Sequence, residues 1–556
     1  MIDFQLLKTV LSDPGNLLVA TIFLPLAGAL VIWFIADRGR AAVRQSALVT
    51  SLMTLVAAGI LIANFTPGQE PFGFKQMKWL GERASIDVYL SFGLDGLSLW
   101  LFGLSALLTV TAVLVSWESI RERPAAFYGM LLLLETGMLG VFAARDILLF
   151  YVFFEFTLIP LYFLIGIWGS EDRRWAAQKF FLFTLAGSLL TFLGLLAIVV
   201  WVANHPPSNA DDWKLTTSMA AVTSTLSEHP LPVHWQVVVF LALFAGFAVK
   251  VPLFPLHTWL PLAHVQAPAA GSIILAGVLL KIGTYGFLRL SVPMLPEATA
   301  ICAPWLLGLS VAGIIYGALV ALAQTDMKRL IAYSSVSHLG FVTLGLFALN
   351  RPGTQGSVLQ MINHGLSTGG LFALVGMIYE RWHTREIADF SGLARRTPRL
   401  AALFVLFTMS SIGLPGLNGF AGEFLILLGM FQRAWSGVQI EWQLAYRTMA
   451  VLAVAGVVLG AWYMLWLVQR VFFGPPREPP HGHDEPPVRD LSAREVTALA
   501  PLMALIFWIG LQPTFFLERT TYALGDVTAA AAQAVDDRAA PPMRPLAGAV
   551  EPSINH

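Results

Sequence analysis

The chain has 556 residues, of which 56% are hydrophobic and only 12% charged, with a mean hydropathy of +0.70. Soluble domains carry about 25% charged residues, so this composition excludes a string of soluble domains and indicates a protein that uses lipid as its main solvent. Lysine plus arginine and aspartate plus glutamate both number 34, which leaves no basic excess to bind nucleic acid. The single cysteine, Cys302, excludes a disulfide framework, an iron–sulfur cluster and a cysteine-based zinc site.

Long apolar stretches recur along the chain, and a membrane-spanning helix needs about 20 such residues. They predict an all-α membrane protein with about fourteen transmembrane helices, because they are too long and too rarely alternating for a β-barrel. The predicted spans lie near residues 17–36, 46–64, 97–116, 125–143, 147–168, 179–202, 236–256, 268–290, 304–323, 329–348, 358–380, 400–429, 447–470 and 496–515.

The distribution of positive charge predicts the orientation. Cytoplasmic loops carry an excess of lysine and arginine, and an even number of spans places both termini on one side. Nineteen such residues fall opposite the termini and thirteen on the terminal side, while Lys250 and Lys281 lie within spans. We therefore expect both termini on the non-cytoplasmic side.

Two spans contain helix-breaking residues. Span seven runs into Lys250-Val251-Pro252-Leu253-Phe254-Pro255, and span twelve contains the stretch 410–419, SSIGLPGLNG. Irregular backbone in a membrane is tolerated only where protein or water covers it, and broken helices in corresponding positions are typical of inverted repeats in transporters. The breaks predict two inverted five-helix repeats, spans four to eight and nine to thirteen, although ordinary proline kinks are the alternative.

This pattern divides the chain into five parts. They are three N-terminal helices in 1–124, a first repeat in 125–290, a second in 304–470, a polar loop with helix fourteen in 471–517, and a flexible C-terminal tail in 518–556.

Five charged residues stand alone inside spans: Glu135, Glu155, Lys250, Lys281 and Glu423. A charge at mid-bilayer costs about 2.5–3.5 kcal/mol on the insertion scale, so such residues need a function or a partner. One interpretation is ion pairs that hold helices together. The other is a line of protonatable groups, because burial disfavours both charged forms and a movable partner of opposite charge restores them.

Two intramembrane histidines extend this line. His338 follows Ser334, Ser335 and Ser337, and His364 precedes Ser367 and Thr368. Histidine titrates near neutrality, and neighbouring hydroxyl groups and waters can carry a proton between titratable groups. The alternative for each is a buried histidine with an ordinary packing role.

Other histidines are less informative. His257 and His264, at the inner end of span seven, either admit protons from the cytoplasm or cap helix ends. His481 and His483 form a His-x-His pattern beside Asp484, for which a solvated loop is favoured over a metal site. No phosphate-binding loop of the Walker type is present, so nucleotide binding has no support.

Several segments together resemble the chain M family of NADH–quinone oxidoreductase, the proton-pumping respiratory complex I. The resemblance covers residues of roughly 90–475, and the span-five motif EFTLIP favours this family over chain N and over multisubunit sodium/proton antiporters. The segments that carry it are FGLDGLSLW (92–100), FFEFTLIPLYFLIGIWG (153–169), KFFLFTLAGS (179–188), HTWLPLAHVQAPAAGSIILAGVLLKIGTYGFLR (257–289), DMKRLIAYSSVSHLGF (326–341), INHGLSTGGLF (362–372) and GLPGLNGFAGEF (413–424).

The resemblance implies one proton channel in this subunit. Glu155 would pair with Lys250, Lys281 would be the central lysine, His338 would link the two halves, and Glu423 would be the exit-side acid. Glu135 would match the acid of span four, and His364 joins the same expected pathway.

The resemblance also implies the surroundings of the chain. No cofactor is expected here, since NADH, FMN, iron–sulfur clusters and quinone would bind partner subunits. The expected partners are other membrane-arm subunits, including the antiporter-like chains L and N, and membrane lipids, with no nucleic acid. The expected location is the bacterial inner (plasma) membrane.

The sequence departs from the family at two positions: Leu262 replaces the usual aspartate and Gln266 the usual glutamate, near the expected site of proton uptake. Two other functions stay open at this point, a subunit of a multisubunit sodium/proton antiporter and a non-pumping membrane scaffold.

Overall fold

Helices dominate the fold, as expected of an all-α membrane protein. The computed structural model describes residues 13–69, 71–79, 86–207, 215–436, 440–479 and 488–539. The N-terminal helices are α1 (Pro14–Phe34), α2 (Arg40–Asn64), α3 (Leu99–Val115), α4 (Pro124–Ala143), α5 (Ile147–Phe156), α6 (Leu158–Trp168), α7 (Arg173–Asn204), α8 (Met219–Glu228), α9 (Val233–Lys250) and α10 (Trp259–Gln266). They are followed by α11 (Ala269–Met294), α12 (Pro296–Leu322), α13 (Met327–Phe347), α14 (Arg351–Trp382), α15 (Pro398–Ser411), α16 (Asn418–Trp435), α17 (Ile440–Phe472), α18 (Ala493–Leu511) and α19 (Pro513–Ala539).

Within the described ranges, 12 helical segments are long and apolar enough to cross a membrane, with α5 and α6 together forming one of them. Helices α3 and α15 are apolar but shorter. The prediction of a multi-spanning helical membrane protein is confirmed, whereas the count of fourteen spans and the inverted repeats remain predictions.

Both expected helix breaks are present. Span seven divides into α9, which ends at Lys250, and α10, which begins at Trp259. The Trp259 indole N–H donates to the Val249 carbonyl at 2.9 Å, so a side chain covers a backbone group that the break exposes. Span twelve divides into α15, which ends at Ser411, and α16, which begins at Asn418.

Helix α11 is irregular in a different way. It is completely buried and contains two π-helical stretches, Leu275–Leu279 and Phe287–Ser291. Single-turn π segments inside α-helices are frequent at functional sites. Lys281 follows the first stretch directly, and no proline in the stretch announces the irregularity from the sequence.

Two small sheets lie in the longer connections between helices. Strands β1 (Phe72–Lys78) and β3 (Tyr89–Leu94) pair antiparallel, with Lys75 opposite Phe92. Strands β2 (Ile86–Asp87) and β4 (Leu215–Thr216) pair in parallel and join the two connections to each other. The sequence analysis did not predict these strands.

The expectation of a flexible tail beyond residue 517 is wrong for residues 518–539, because they lie in helix α19. This helix packs against α12 and α14. Its buried positions recur at helical spacing, which gives an amphipathic stripe that average hydropathy conceals. They include Phe516, Thr520, Ala523, Leu524, Ala531, Ala534 and Val535. Residues 540–556 lie outside the described ranges.

A buried cluster of charges joins three segments that are far apart in the sequence. Asp95, in the turn before α3, accepts hydrogen bonds from Arg145 at 2.9 Å and from Arg289 at 2.7 Å. Arg289 belongs to α11 and is only 8% exposed, although the charge count of the sequence analysis includes it among the thirteen residues on the terminal side. Burial raises the pKa of the Asp95 carboxyl, but the two arginines outweigh burial, and its pKa lies below its ordinary value of 3.8.

We expect Arg289→Met to destabilise the fold by about 3 kcal/mol, because it deprives a buried carboxylate of a partner. The midpoint of thermal unfolding of the detergent-solubilised protein measures the loss. The lowered pKa of Asp95 means that its contribution is complete above pH 3.8 and is lost as pH falls through the folded-state value, so the effect should persist at neutral pH.

The matched control is Arg396→Met, which removes an ion pair between Arg396 and Glu478 whose side chains are 44% and 24% exposed. Exposed pairs contribute about 0–1 kcal/mol. Equal effects of the two substitutions would contradict the assignment of Asp95 and Arg289 as a buried structural pair.

Candidate functional site

Four of the predicted residues form a connected line in the membrane interior. Lys281 Nζ lies 2.7 Å from His364 Nδ1, and the Lys281 ammonium also donates to the Ala276 carbonyl. The imidazole rings of His364 and His338 follow, with centroids 5.8 Å apart. His338 Nδ1 lies 3.2 Å from Glu423 Oε1. All four side chains are buried, with exposures of 0–6%.

Three long helices and one half-helix hold this line. α11 supplies Lys281, α14 supplies His364, α13 supplies His338, and the half-helix α16 supplies Glu423. An ammonium and an imidazolium cannot both direct protons at each other across 2.7 Å, so the contact between Lys281 and His364 holds one shared proton. The arrangement therefore allows a proton to pass between the two bases with little movement of either side chain.

Amide and hydroxyl groups of α14 surround the histidines. Gln360, Asn363, His364 and Ser367 recur at spacings of three and four, which places them on one helical face. Gln360 Nε2 donates to Glu423 Oε1 at 3.1 Å, and Asn363 Nδ2 donates to the Asn418 carbonyl at 2.8 Å. Sequence analysis missed Gln360, Asn363 and Asn418, yet the polar stripe of α14 that contains Gln360 and Asn363 was a usable signal.

The same network closes the break in span twelve. Ser410 Oγ donates to Asn418 Oδ1 at 2.6 Å and lies 2.5 Å from Ser367 Oγ. His338 Nε2 lies 3.3 Å from Ser411 Oγ and 3.5 Å from the hydroxyl of Tyr463, a residue that sequence analysis also missed. The break thus brings the Ser411 hydroxyl to His338 Nε2, and its polar side chains bind one another.

A small cavity separates the two histidines. It has a volume of ≈ 10 Å³ and is lined by nine residues, all but one polar. This volume is about what one water needs, and His364 Nε2 is buried without a hydrogen-bond partner. A single water in the cavity would complete the line. The lining residues are His338, Gln360, Asn363, His364, Ser367, Thr368, Ser410, Ser411 and Gly419.

Lys250 is placed differently from the expectation. Its ammonium donates to the Phe154 carbonyl at 2.8 Å and stands 3.4 Å from the Phe154 ring centroid. No ion pair joins it to Glu155 within the described part of the chain, and Glu155 Oε1 is buried without a partner. A cavity of ≈ 10 Å³ beside Lys250 is lined mainly by apolar residues of α11 and its neighbours, so no hydrogen-bonded chain connects Lys250 with Lys281.

The remaining predicted residues stand apart from the line. Glu135 is fully buried, and neither carboxylate oxygen has a partner among the described residues. His257 is buried in contact with the rings of Phe254 and Tyr316. His481 and His483 lie outside the described residues. In the described ranges, no group of three or more His, Cys, Asp or Glu side chains is arranged to hold a metal ion.

Comparison with known proteins gives a family match. The family described as NADH:quinone oxidoreductase/Mrp antiporter, TM matches residues 144–452 of this chain. The matched range is more than half of the sequence and contains Glu155, Lys250, Lys281, His338 and Glu423.

Similar proteins match over nearly the whole chain. NADH-quinone oxidoreductase subunit M of Rhodobacter capsulatus is 41% identical over 514 residues, covering 90% of this chain and 94% of the relative. NADH-ubiquinone oxidoreductase chain 4 of Marchantia polymorpha is 40% identical and covers 89% and 94%. One chain of the solved respiratory complex I from Thermus thermophilus with bound NADH superposes with a TM-score of 0.79 at 32% identity, covering 93% of this chain and 99% of that chain.

We expect Gly413→Ala to destabilise the break in span twelve more than Gly416→Ala does. Both glycines have positive φ, +73° and +92°, which costs an L-residue about 1–2 kcal/mol. Only at Gly413 would a Cβ also meet Glu423 Oε2, at 2.9 Å, whereas nothing lies within 4 Å of one at Gly416. Thermal unfolding of the two variants measures the difference, and equal midpoints would contradict the close approach of Glu423 to this turn.

Proposed function

Since this chain belongs to the NADH:quinone oxidoreductase/Mrp antiporter transmembrane family, we propose that it is a proton-translocating membrane-arm subunit of an NADH–quinone oxidoreductase. It would couple quinone reduction elsewhere in the complex to proton transfer through its buried Glu, Lys and His residues. The observation that carries this proposal is the line from Lys281 through His364 and His338 to Glu423.

Glu155 is the movable partner in this mechanism. It lies in the same helix as Phe154, whose carbonyl holds the Lys250 ammonium, and one of its oxygens is unpartnered. At 4 Å and an effective dielectric of 20, opposite unit charges attract by about 4 kcal/mol. That is about a thousandfold in a protonation equilibrium, so approach or withdrawal of Glu155 is enough to load or release a proton at Lys250.

The proton released from Lys250 reaches Lys281 across the apolar cavity and then follows the line from Lys281 to Glu423. Lys281 and His364 share one proton at 2.7 Å, and a water in the cavity carries it from His364 to His338. His338 delivers it to Glu423, whose Oε1 is also held by Gln360. From Glu423, beside the break in span twelve, the proton would leave towards the outer face. Hydration of the gap between Lys250 and Lys281 is therefore the step that the mechanism must control.

The subunit works only within an assembly, because a chain with no redox centre of its own needs electron transfer elsewhere. Its proposed partners are the antiporter-like chains L and N and other membrane-arm subunits, with NADH, FMN, iron–sulfur clusters and quinone on partner subunits. Its proposed location is the bacterial inner membrane with both termini on the non-cytoplasmic side. Glu135 is proposed to belong to the pathway as an acid of α4.

Two other functions make different predictions. A sodium/proton antiporter subunit would transport in liposomes without quinone reduction, whereas the proposed pump needs it. A scaffold would use Lys250 and Glu155 for assembly, so Lys250→Ala and Glu155→Gln would lower the amount of assembled complex. The EFTLIP motif favours the pump over the antiporter.

We expect Lys281→Met to assemble but to lower proton pumping on the order of a hundredfold, the usual scale for loss of a proton-transfer group. Met keeps the length of the side chain and removes the proton shared with His364. Pumping per quinone reduced, measured in proteoliposomes that contain the assembled complex, is the readout. The control Lys179→Met changes a partly exposed lysine of α7 and should leave pumping unchanged.

Glu155→Gln should likewise assemble, because the carboxylate makes no ion pair with another described residue and its Oε1 has no hydrogen-bond partner there, and it should lower pumping through loss of its charge. Its assembly is measured by the yield of intact complex on native gels. Normal assembly with normal pumping in both variants would contradict the proposed function, while poor assembly would favour the scaffold.

A further inference from the structure

A large cavity lies at the helix ends that loop charge predicts to be cytoplasmic. Its volume is ≈ 290 Å³, enough for several waters. It lies between the ends of α6 and α14 and the starts of α11 and α13. Its lining residues with polar side-chain atoms are Ser119, Trp168, Ser170, Lys328, Tyr379, Glu380 and Arg385. None of these residues belongs to the proton line described above.

Glu380 is the only carboxylate among the described residues that line this cavity. Its Oε1 is buried without a hydrogen-bond partner. The charged groups that act on it are Arg381, Arg494 and Glu495. Ser119 hydrogen-bonds to the Glu380 side chain. The Arg381 guanidinium is directed at Glu495, with both nitrogen–oxygen distances at 2.9 Å, rather than at Glu380.

The two cationic residues that line the cavity, Lys328 and Arg385, are likewise bound by other groups of the protein. Lys328 is 6% exposed, and its Nζ donates to the Ala267 carbonyl at 2.5 Å. Arg385 forms an ion pair with Asp326 at 3.3 Å and donates to the Val265 carbonyl at 2.7 Å. Glu380 therefore keeps one carboxylate oxygen, Oε1, available to exchange a proton with water in this cavity.

His264 of α10 is acted on electrostatically by Lys328, which lines this cavity, and by the central Lys281. It lies three residues before Ala267, which also lines the cavity. It is fully buried, and neither ring nitrogen has a hydrogen-bond partner among the described residues. Its ring stacks on Phe372 with centroids 4.4 Å apart, which sets its orientation. Buried imidazole nitrogens without partners are costly, so the position suits a relay rather than packing.

We propose that Glu380 is the proton-collecting carboxylate of this subunit and that the cavity is the vestibule from which His264 passes protons to Lys281. This inference rests on the proposed function and gives it an uptake site. In each cycle the Glu380 carboxylate takes a proton from water on the inner side and returns to the carboxylate when His264 accepts that proton through the vestibule water.

The vestibule also accounts for the two departures from the family pattern. Gln266 lies at its rim, where its backbone carbonyl accepts from Ser170 N at 2.9 Å and its side-chain oxygen accepts from Asp172 N at 3.2 Å. An amide cannot titrate, and Leu262 carries no polar group. Because neither position supplies an acid, collection depends on Glu380 in this chain.

The experiment compares Glu380→Gln, Glu380→Asp and the exposed control Glu386→Gln in the assembled complex, with pumping per quinone reduced measured against pH on the inner side. We expect Glu380→Gln to lower pumping about tenfold at alkaline pH, where protons are scarce, and less at acidic pH. Glu380→Asp should restore the parental profile, and Glu386→Gln should keep it. A purely structural role would lower pumping equally at every pH.

Parental pumping by Glu380→Gln across the pH range would overturn the inference. Lys281→Met in the same series separates the two proposals: loss of pumping there with a normal Glu380→Gln variant removes only the uptake site, and normal pumping by both removes the proposed function.

A second measurement covers the case in which Glu380→Gln fails to assemble. Ser170→Cys places a thiol at the vestibule, and a membrane-impermeant thiol reagent added on the inner side should then abolish pumping. The same reagent on the parental chain, whose single cysteine is Cys302, is the control. Unchanged pumping after complete modification would overturn the vestibule.

Discussion

The structure depends on one constraint: the membrane interior offers no water to stabilise a charge or an unpaired backbone group. Every charge kept there needs a partner within the protein, and every helix break needs a cover. Lys281 meets this requirement with His364, and Glu423 meets it with His338 and Gln360. Glu135 and His264 have no hydrogen-bond partner among the described residues, and for the same reason they are the most informative about function.

The constraint explains why the polar groups lie in a line at the level of the breaks. A break at α15 and α16 frees backbone groups, and Asn418, Asn363 and Ser410 bind one another there. These amides and hydroxyls also fix the positions of the histidines. The same side chains thus stabilise the broken helix and form part of the proposed proton path. On the other side of Lys281 an apolar layer separates it from Lys250, which gives the two halves different connectivity.

Much of this was predictable from the sequence. Isolated charges in long apolar stretches identify Lys250, Lys281, Glu423, Glu135 and Glu155, because each violates the hydropathy of its span. Proline and glycine predict both breaks. Other features escaped prediction for definite reasons. Helix α19 is amphipathic and has low average hydropathy, and Arg289 is only two residues from a predicted loop, so both resemble solvent-exposed sequence. The residues of the amide network are uncharged, so none stood out alone.

The sequence by itself determined that lipid is the main solvent, that the fold is helical, where the helices break and which family the chain belongs to, since these follow from composition, local spacing and motifs. Only the tertiary structure determined which residues are in contact. That Lys281 meets His364, that Lys250 binds the Phe154 carbonyl instead of Glu155, and that Glu380 faces a cavity near His264 depend on contacts between residues tens to hundreds of positions apart. Such contacts are set by helix packing in three dimensions, and periodicity along one helix carries no information about the rotation or depth of its neighbour.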